Sequence, residues 1–243
     1  MILSIIRKLK EDCGNIWRYP RIRCREDGGL NYDTYWEERK RGEKPILSAW
    51  QKERADRVLP FLTPGATVLD IGCGDGAVLA YLKEKAHIQG IGVDMSERVI
   101  QSAKQAGIET ISLDVTDIKK LDTLPEVDYV TGFEIIEHMP YPEMFLFKMM
   151  QKARKGIIFS VPNTGYYVHR LRLLFGKFPL QWAVHPGEHL RFWTVRDMKF
   201  WLTSLTLNSH RLILYQGIPI LNKIFPSLFA KGMIVYINTQ RQK

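Results

Sequence analysis

The chain has 243 residues, 45% of them hydrophobic and 25% charged, with a formal net charge of +9 at pH 7. That length holds one α/β domain with an ornament and is short for two. It contains no run of about eighteen apolar residues that would span a membrane, and its three cysteines (Cys13, Cys24, Cys73) show neither metal-ligand pairing nor an even count, which argues against a disulfide framework and fits a reducing cytoplasm.

The excess of positive charge favours acidic partners, whether phosphorylated substrates, nucleic acid or an anionic membrane surface, without choosing among them. Along the chain, residues 1–10 read as a short basic amphipathic helix, with the basic residues after the apolar ones, the reverse of a secretory signal. It packs on the domain or lies on a membrane surface. Residues 1–45 as a whole read as a helical, partly irregular extension with turn signals at Asp27-Gly28-Gly29 and Gly42. Within it, Arg18, Tyr19, Arg21, Arg23, Arg25, Tyr32, Tyr35 and Trp36 form an aromatic–basic cluster. Such a cluster either stacks bases and binds phosphates or is a helix packed by its aromatics with arginines in water.

A helix over about 46–62 carries Leu47, Trp50, Ala55, Leu59 and Leu62 near helical spacing and closes at Pro64-Gly65. Regular alternation follows, with strands over 67–71, 89–93, 109–113, 127–132 and 156–161 and helices over 77–85, 97–105 and 142–154. This pattern implies a parallel sheet with helices on both faces. Thr194-Val195-Arg196-Asp197 reads as a capping box opening a helix to about Leu205, and 207–215 with 233–237 as a terminal antiparallel pair. Residues 164–193 are long for a connection and read as a lid. The apolar stretch 218–229 reads as core packing, or as a greasy pocket or membrane contact.

The strongest motif is Val68-Leu69-Asp70-Ile71-Gly72-Cys73-Gly74-Asp75-Gly76, an apolar strand running into three glycines and then a helix. Glycines there let the backbone turn sharply and approach a ligand. The spacing is not that of dinucleotide binders, and the flanking Asp70 and Asp75 would repel a pyrophosphate but attract a sulfonium and an amino group. The loop therefore favours S-adenosylmethionine (SAM) over NAD. Asp94, about twenty residues on, is placed for ribose hydroxyls, and Asp114 for an adenine amino group. These motifs resemble those of class I SAM-dependent methyltransferases over roughly residues 60–215, which implies a Rossmann-like domain over 46–243 with a mostly parallel seven-stranded sheet. The resemblance puts Gly72, Gly74 and Gly76 along the methionine part, Asp94 at the ribose, and Asp114 and Val115 at the adenine. Asp70, Cys73, Met95 and Phe133 complete the expected cofactor set, Cys73 as a small packed residue and not a nucleophile.

After the fourth strand comes Gly132-Phe133-Glu134-Ile135-Ile136-Glu137-His138-Met139-Pro140. On a helical turn, Glu134, Glu137 and His138 would share one face and suit a divalent cation such as Mg²⁺, Mn²⁺, Fe²⁺ or Zn²⁺. With His189, this set resembles small-RNA 2′-O-methyltransferases of the HEN type, which implies metal ligands Glu134, Glu137, His138 and His189 and leaves His185 outside the match. The Glu137-His138 pair also resembles ubiquinone-biosynthesis O-methyltransferases, which implies a catechol-like acceptor. A metal-free pair with His138 as base, or a histidine packed under the cofactor, stands beside the metal reading. Residues 155–163, Tyr167, 169–179 and 194–197 resemble the methionine-biosynthesis W family, which implies a homoserine acyltransferase partner and a regulatory role. The expectation is an O-methyltransferase of a small hydroxylated molecule (sugar, quinone precursor or other diol, phosphorylated or lipid-linked) in the cytoplasm or at a membrane surface. RNA 2′-O-methylation and SAM-binding regulation are the alternatives.

Overall fold

A computed structural model describes residues 2–19, 36, 45–182 and 186–241. Arg21, Arg23, Arg25, Tyr32 and Tyr35 of the aromatic–basic cluster, and His185, lie outside the described residues.

Seven strands, β1 (Thr67–Ile71), β2 (Gln89–Asp94), β3 (Glu109–Ser112), β4 (Val127–Phe133), β5 (Ala153–Pro162), β6 (His210–Tyr215) and β7 (Gly232–Asn238), form one sheet in the order β3-β2-β1-β4-β5-β7-β6. The first five pair in parallel, and β7 runs antiparallel between β5 and β6. Every strand expected from the sequence is present, with ends shifted by up to three residues.

Alternation along β1 sends Leu69 and Ile71 to one face of the sheet and Val68 to the other. Leu69 and Ile71 join a core with residues of α5 (Pro142–Lys152) and α7 (Val195–Ser204), including Leu146 and Met198. Val68 packs with residues of α2 (Ala49–Val58), α3 (Ala77–Ala86) and α4 (Glu97–Gln105), including Val58, Leu82 and Ala103. A sheet covered on both faces is what uninterrupted apolar strands require. Capping boxes start α2 (Ser48 with Gln51) and α7 (Thr194 with Asp197), satisfying amides that helix geometry leaves open.

The expected lid is less irregular than its composition suggests. It contains α6 (Tyr167–Leu174), whose Val168, with Tyr166, packs against Ile16 of α1 (Ile2–Trp17). The fully buried Asp12 accepts from the hydroxyls of Tyr166 and Tyr167 and lies 3.2 Å from the Lys231 ammonium. Arg172, 2% exposed, donates to the carbonyls of Asn15, Ile16 and Arg18 at 2.8–3.0 Å, satisfying the open end of α1 and placing a cation at its negative pole. Arg172→Leu leaves those acceptors without their donor. It should cost about 2–3 kcal/mol and expose residues 2–19 to limited proteolysis before the domain melts; an unchanged melt and unchanged cleavage would refute this cap. The apolar stretch 218–229 forms the short helices α8 (Leu221–Ile224) and α9 (Pro226–Phe229). Ile218 is buried there, and Ile224 and Phe225 face solvent.

Candidate functional site

At the carboxyl ends of β1, β2 and β4 a cavity of about 630 Å³ opens, lined by the glycine loop, Asp94, Val115, Phe133 and the segment around His138. The loop folds as its glycines dictate: Gly72, Gly74 and Gly76 all have φ between +55° and +75°, a region that side chains resist. A Cβ on Gly74 would stand 3.0 Å from the Trp36 ring, which also lines the cavity, and one on Gly72 would stand 3.0 Å from Ile135. Gly76 does a different job: its missing Cβ would lie 2.9 Å from that of Ala103, so it sets the approach of α4 and lies off the cavity wall.

Asp94 is held by two amides, Gly74 N–H at 2.9 Å and Ser96 N–H at 3.0 Å, so its carboxylate is fixed at the wall before any ligand arrives. Asp75 accepts from the amides of Ile46 and Ala77, tying the chain ahead of α2 to the loop. Met95 and Val115 line the cavity; Asp114 does not, its carboxylate being turned back on the amide and hydroxyl of Thr116. Cys73 is a buried neutral thiol whose pKa burial raises well above 9, packed beside Gly92.

Asp70 accepts from the Thr131 hydroxyl at 2.7 Å, and burial raises its pKa to about 6. A cationic ligand favours the ionised form. SAM affinity should therefore climb as pH rises from 5 toward 7 and level off above it, with Asp70→Asn flattening that climb; calorimetric titration across this range checks it, and an equal slope in the variant would refute it.

One residue at this site escaped the sequence reading. Arg54, on α2, is 4% exposed, lies 3.5 Å from the Glu134 carboxylate and 3.3 Å from the Ser160 hydroxyl, and sits over the Phe133 ring at 4.8 Å. It lines the cavity beside Asp70, and its buried Nε has no hydrogen-bond partner among the described residues. The signal was present: Arg54 falls between Trp50 and Val58 at i+4 spacing, on the inward stripe of α2.

The expected set of Glu134, Glu137, His138 and His189 is only partly brought together. Glu137, His138 and His189 offer ligand atoms within 4.8 Å of one another, and Glu134 stands outside this group. The shared helical face does not form, because Glu134 takes a left-handed φ of +57° and the turn that follows, Ile136–His138, is a 3₁₀ turn. Glu134 instead accepts from Ser160 and pairs with Arg54. Glu137 is 1% exposed and both its carboxylate oxygens are buried with no hydrogen-bond partner among the described residues. Burial, and then the neighbouring Glu134, push its pKa well above the usual carboxylate range. His138 meets the Glu188 carbonyl through Nδ1, so that nitrogen carries the proton and the ring is held in one orientation. The amides of Leu190 and Arg191 donate to the Glu137 carbonyl, clamping the lid to this turn. His189 packs edge-on to His138 with ring centroids 4.6 Å apart, and burial lowers its pKa to about 3, so the ring is neutral.

The chain is 33% identical over 155 residues to a ubiquinone biosynthesis O-methyltransferase of Hahella chejuensis, covering 60% of this chain and 64% of that one. It spans 52%, 31% and 64% of the length of three curated relatives it matches, so less than two thirds of each. Among solved structures, a SAM-dependent methyltransferase of Archaeoglobus fulgidus superposes with a TM-score of 0.58 at 20% identity over 85% of this chain and 99% of that one. The magnesium protoporphyrin IX methyltransferase of Synechocystis PCC 6803, solved with bound S-adenosylhomocysteine (SAH), gives 0.55 at 16% identity over 94% and 93%. At those identities the likeness is one of fold: the strand order and the single antiparallel β7 are those of class I SAM-dependent methyltransferases. The family model for methionine biosynthesis protein MetW matches residues 52–212, and on that match, over a class I methyltransferase fold, the chain belongs to the MetW family.

Proposed function

We propose that this chain transfers the methyl group of SAM to a hydroxyl oxygen of a small hydroxylated molecule, with Glu137, His138 and His189 able to hold a divalent cation at the acceptor side of the cavity. The observation that carries the reading is the Glu137 carboxylate, buried with no hydrogen-bond partner among the described residues and off the cavity lining, whose oxygens come within 4.8 Å of the nitrogens of two imidazoles that do line the cavity with the glycine loop. A buried carboxylate without a partner is expensive, and one carboxylate with two imidazoles is a donor set that suits Mn²⁺, Fe²⁺ or Zn²⁺. The residues therefore fit a cation. When bound, it would lower the pKa of an acceptor hydroxyl and orient its oxygen.

The chain's own groups supply the rest. Asp94 and the glycine loop fix the cofactor, Asp70 and Arg54 present opposite charges to its amino-acid end, and His138 is the base that takes the departing hydroxyl proton. In the transfer, the acceptor oxygen bonds to the methyl carbon as the S–CH₃ bond breaks, and SAH leaves as a neutral thioether. Titrating Mn²⁺ into the SAH-bound protein, beside Glu137→Ala and His189→Ala, tests the cation: stoichiometric binding lost in both variants supports it. No binding by the wild type removes the cation and leaves His138 as a simple base. Failure to methylate any catechol or sugar diol, with or without Mn²⁺, would sink the O-methyl reading.

The family match favours one other reading, a SAM-binding regulatory subunit of a biosynthetic acyltransferase. Stable co-purification with such an enzyme, with no methyl transfer by the pair, would select it.

A further inference from the structure

We propose that the face built from α1 and α6 docks on an anionic lipid bilayer. Asp12 and Ile16 turn one side of α1 into the protein. The adjoining flank of the helix carries Ile6, Leu9, Cys13 and Trp17, and all four are exposed. Trp17 packs at a tilt against Phe175 with ring centroids 4.9 Å apart, which joins this stripe to the end of α6, where Leu174 is 75% exposed. Phe178, three residues after Phe175 and 64% exposed, meets the ring of Phe192, which in turn packs near His189. Exposed large apolar side chains gathered in this way mark a binding face.

Charge selects the occupant. Arg7 and Lys10 are exposed on α1, and Lys177 donates to the Trp17 carbonyl and lies 4.5 Å over the Tyr19 ring. The exposed acid on α1, Glu11, is already paired with Lys8 at 3.0 Å. Tryptophan, phenylalanine and leucine flanked by Lys and Arg is the chemistry of a helix lying in a headgroup layer, with aromatic rings at the interface and cations on lipid phosphates. Asn15 and Arg18 of the same segment line the cavity, so a protein seated this way has that side of its cavity near the lipid. None of this depends on which atom accepts the methyl group.

The full chain should sediment with vesicles of equal parts phosphatidylcholine and phosphatidylglycerol, bind pure phosphatidylcholine vesicles more weakly, and release as salt is raised. Leu174→Glu and Lys10→Glu, both outside the cavity, should each weaken binding to the anionic vesicles roughly tenfold, with far-UV circular dichroism and SAH binding unchanged. If Leu174→Glu disturbs the fold, Lys10→Glu carries the test alone. The proposal falls if the wild type ignores anionic vesicles at low salt, or if correctly folded variants bind as it does. It also falls if sedimentation velocity shows that the face joins two copies of the chain, through a dimer that Leu174→Glu dissolves.

Discussion

Glu137→Gln should make the chelator-treated protein more stable at neutral pH while removing its Mn²⁺ binding and its methyl transfer. Burial raises the Glu137 pKa in the folded state above its unfolded value, so the folded protein holds that proton more tightly. The benefit of the neutral side chain is complete below the unfolded pKa, near 4.3. It is lost progressively as pH rises from there toward the folded pKa. Glutamine is neutral throughout, so the variant and the wild type should melt together near the unfolded pKa and diverge above it, the variant gaining about 1–2 kcal/mol. A cation reverses the order by stabilising the carboxylate. At about a hundredfold excess over its dissociation constant, Mn²⁺ should add about 2.7 kcal/mol to the wild type and nothing to the variant, whose methyl transfer should drop by about 10²-fold or more. Scanning calorimetry over a pH series, with chelator and then with Mn²⁺, reads both effects. A variant less stable than the wild type in chelator at neutral pH would mean that the carboxylate has a partner of its own and is not a vacant ligand.

The parts of this site that were legible in the sequence are those set by local chemistry. The strand–glycine–helix passage at 67–86 is legible because three glycines after an apolar run permit little else, and all three do adopt positive φ. Asp94 is legible because it ends a strand at a fixed remove from that loop. Glu134 is the opposite case: a single backbone rotation sends its side chain to Arg54 and away from Glu137, and nothing in an i, i+3, i+4 spacing announces a left-handed residue that is not glycine. Asp114 shows the same limit on a smaller scale, since a Thr two residues on captures its carboxylate. The docking of α1 on α6 depends on side chains some 155 residues apart, such as Asp12 with Tyr166 and Tyr167, and no local pattern contains it. The charge and amphipathicity of α1 were readable, but which side it buries was not.

Arg54 is where that unread tertiary structure bears most on function, and Arg54→Met should impair both stability and cofactor binding. The guanidinium is buried between Glu134, Ser160 and the Phe133 ring. Methionine fills much of the same volume but leaves Glu134 without its cation. Breaking one side of a buried pair costs about 3–5 kcal/mol; Glu134 keeps 27% of its side chain exposed, which brings the expected loss to about 2–4 kcal/mol. The second effect concerns the ligand. SAM and SAH end in an α-carboxylate, and Arg54 is the buried cation on the cavity wall beside Asp70, with an Nε–H that has no hydrogen-bond partner among the described residues. Removing it should weaken SAH binding by about tenfold or more. Two comparisons separate the effects. Adding Glu134→Gln to Arg54→Met should restore most of the lost stability without restoring SAH affinity, because the orphaned carboxylate is gone but the cation is still missing. A SAH analogue lacking the α-carboxylate should bind wild type and Arg54→Met alike. If the analogue also distinguishes them, Arg54 acts by shaping the cavity and makes no direct contact with the carboxylate. If SAH affinity returns in the double variant, the whole effect belongs to Glu134.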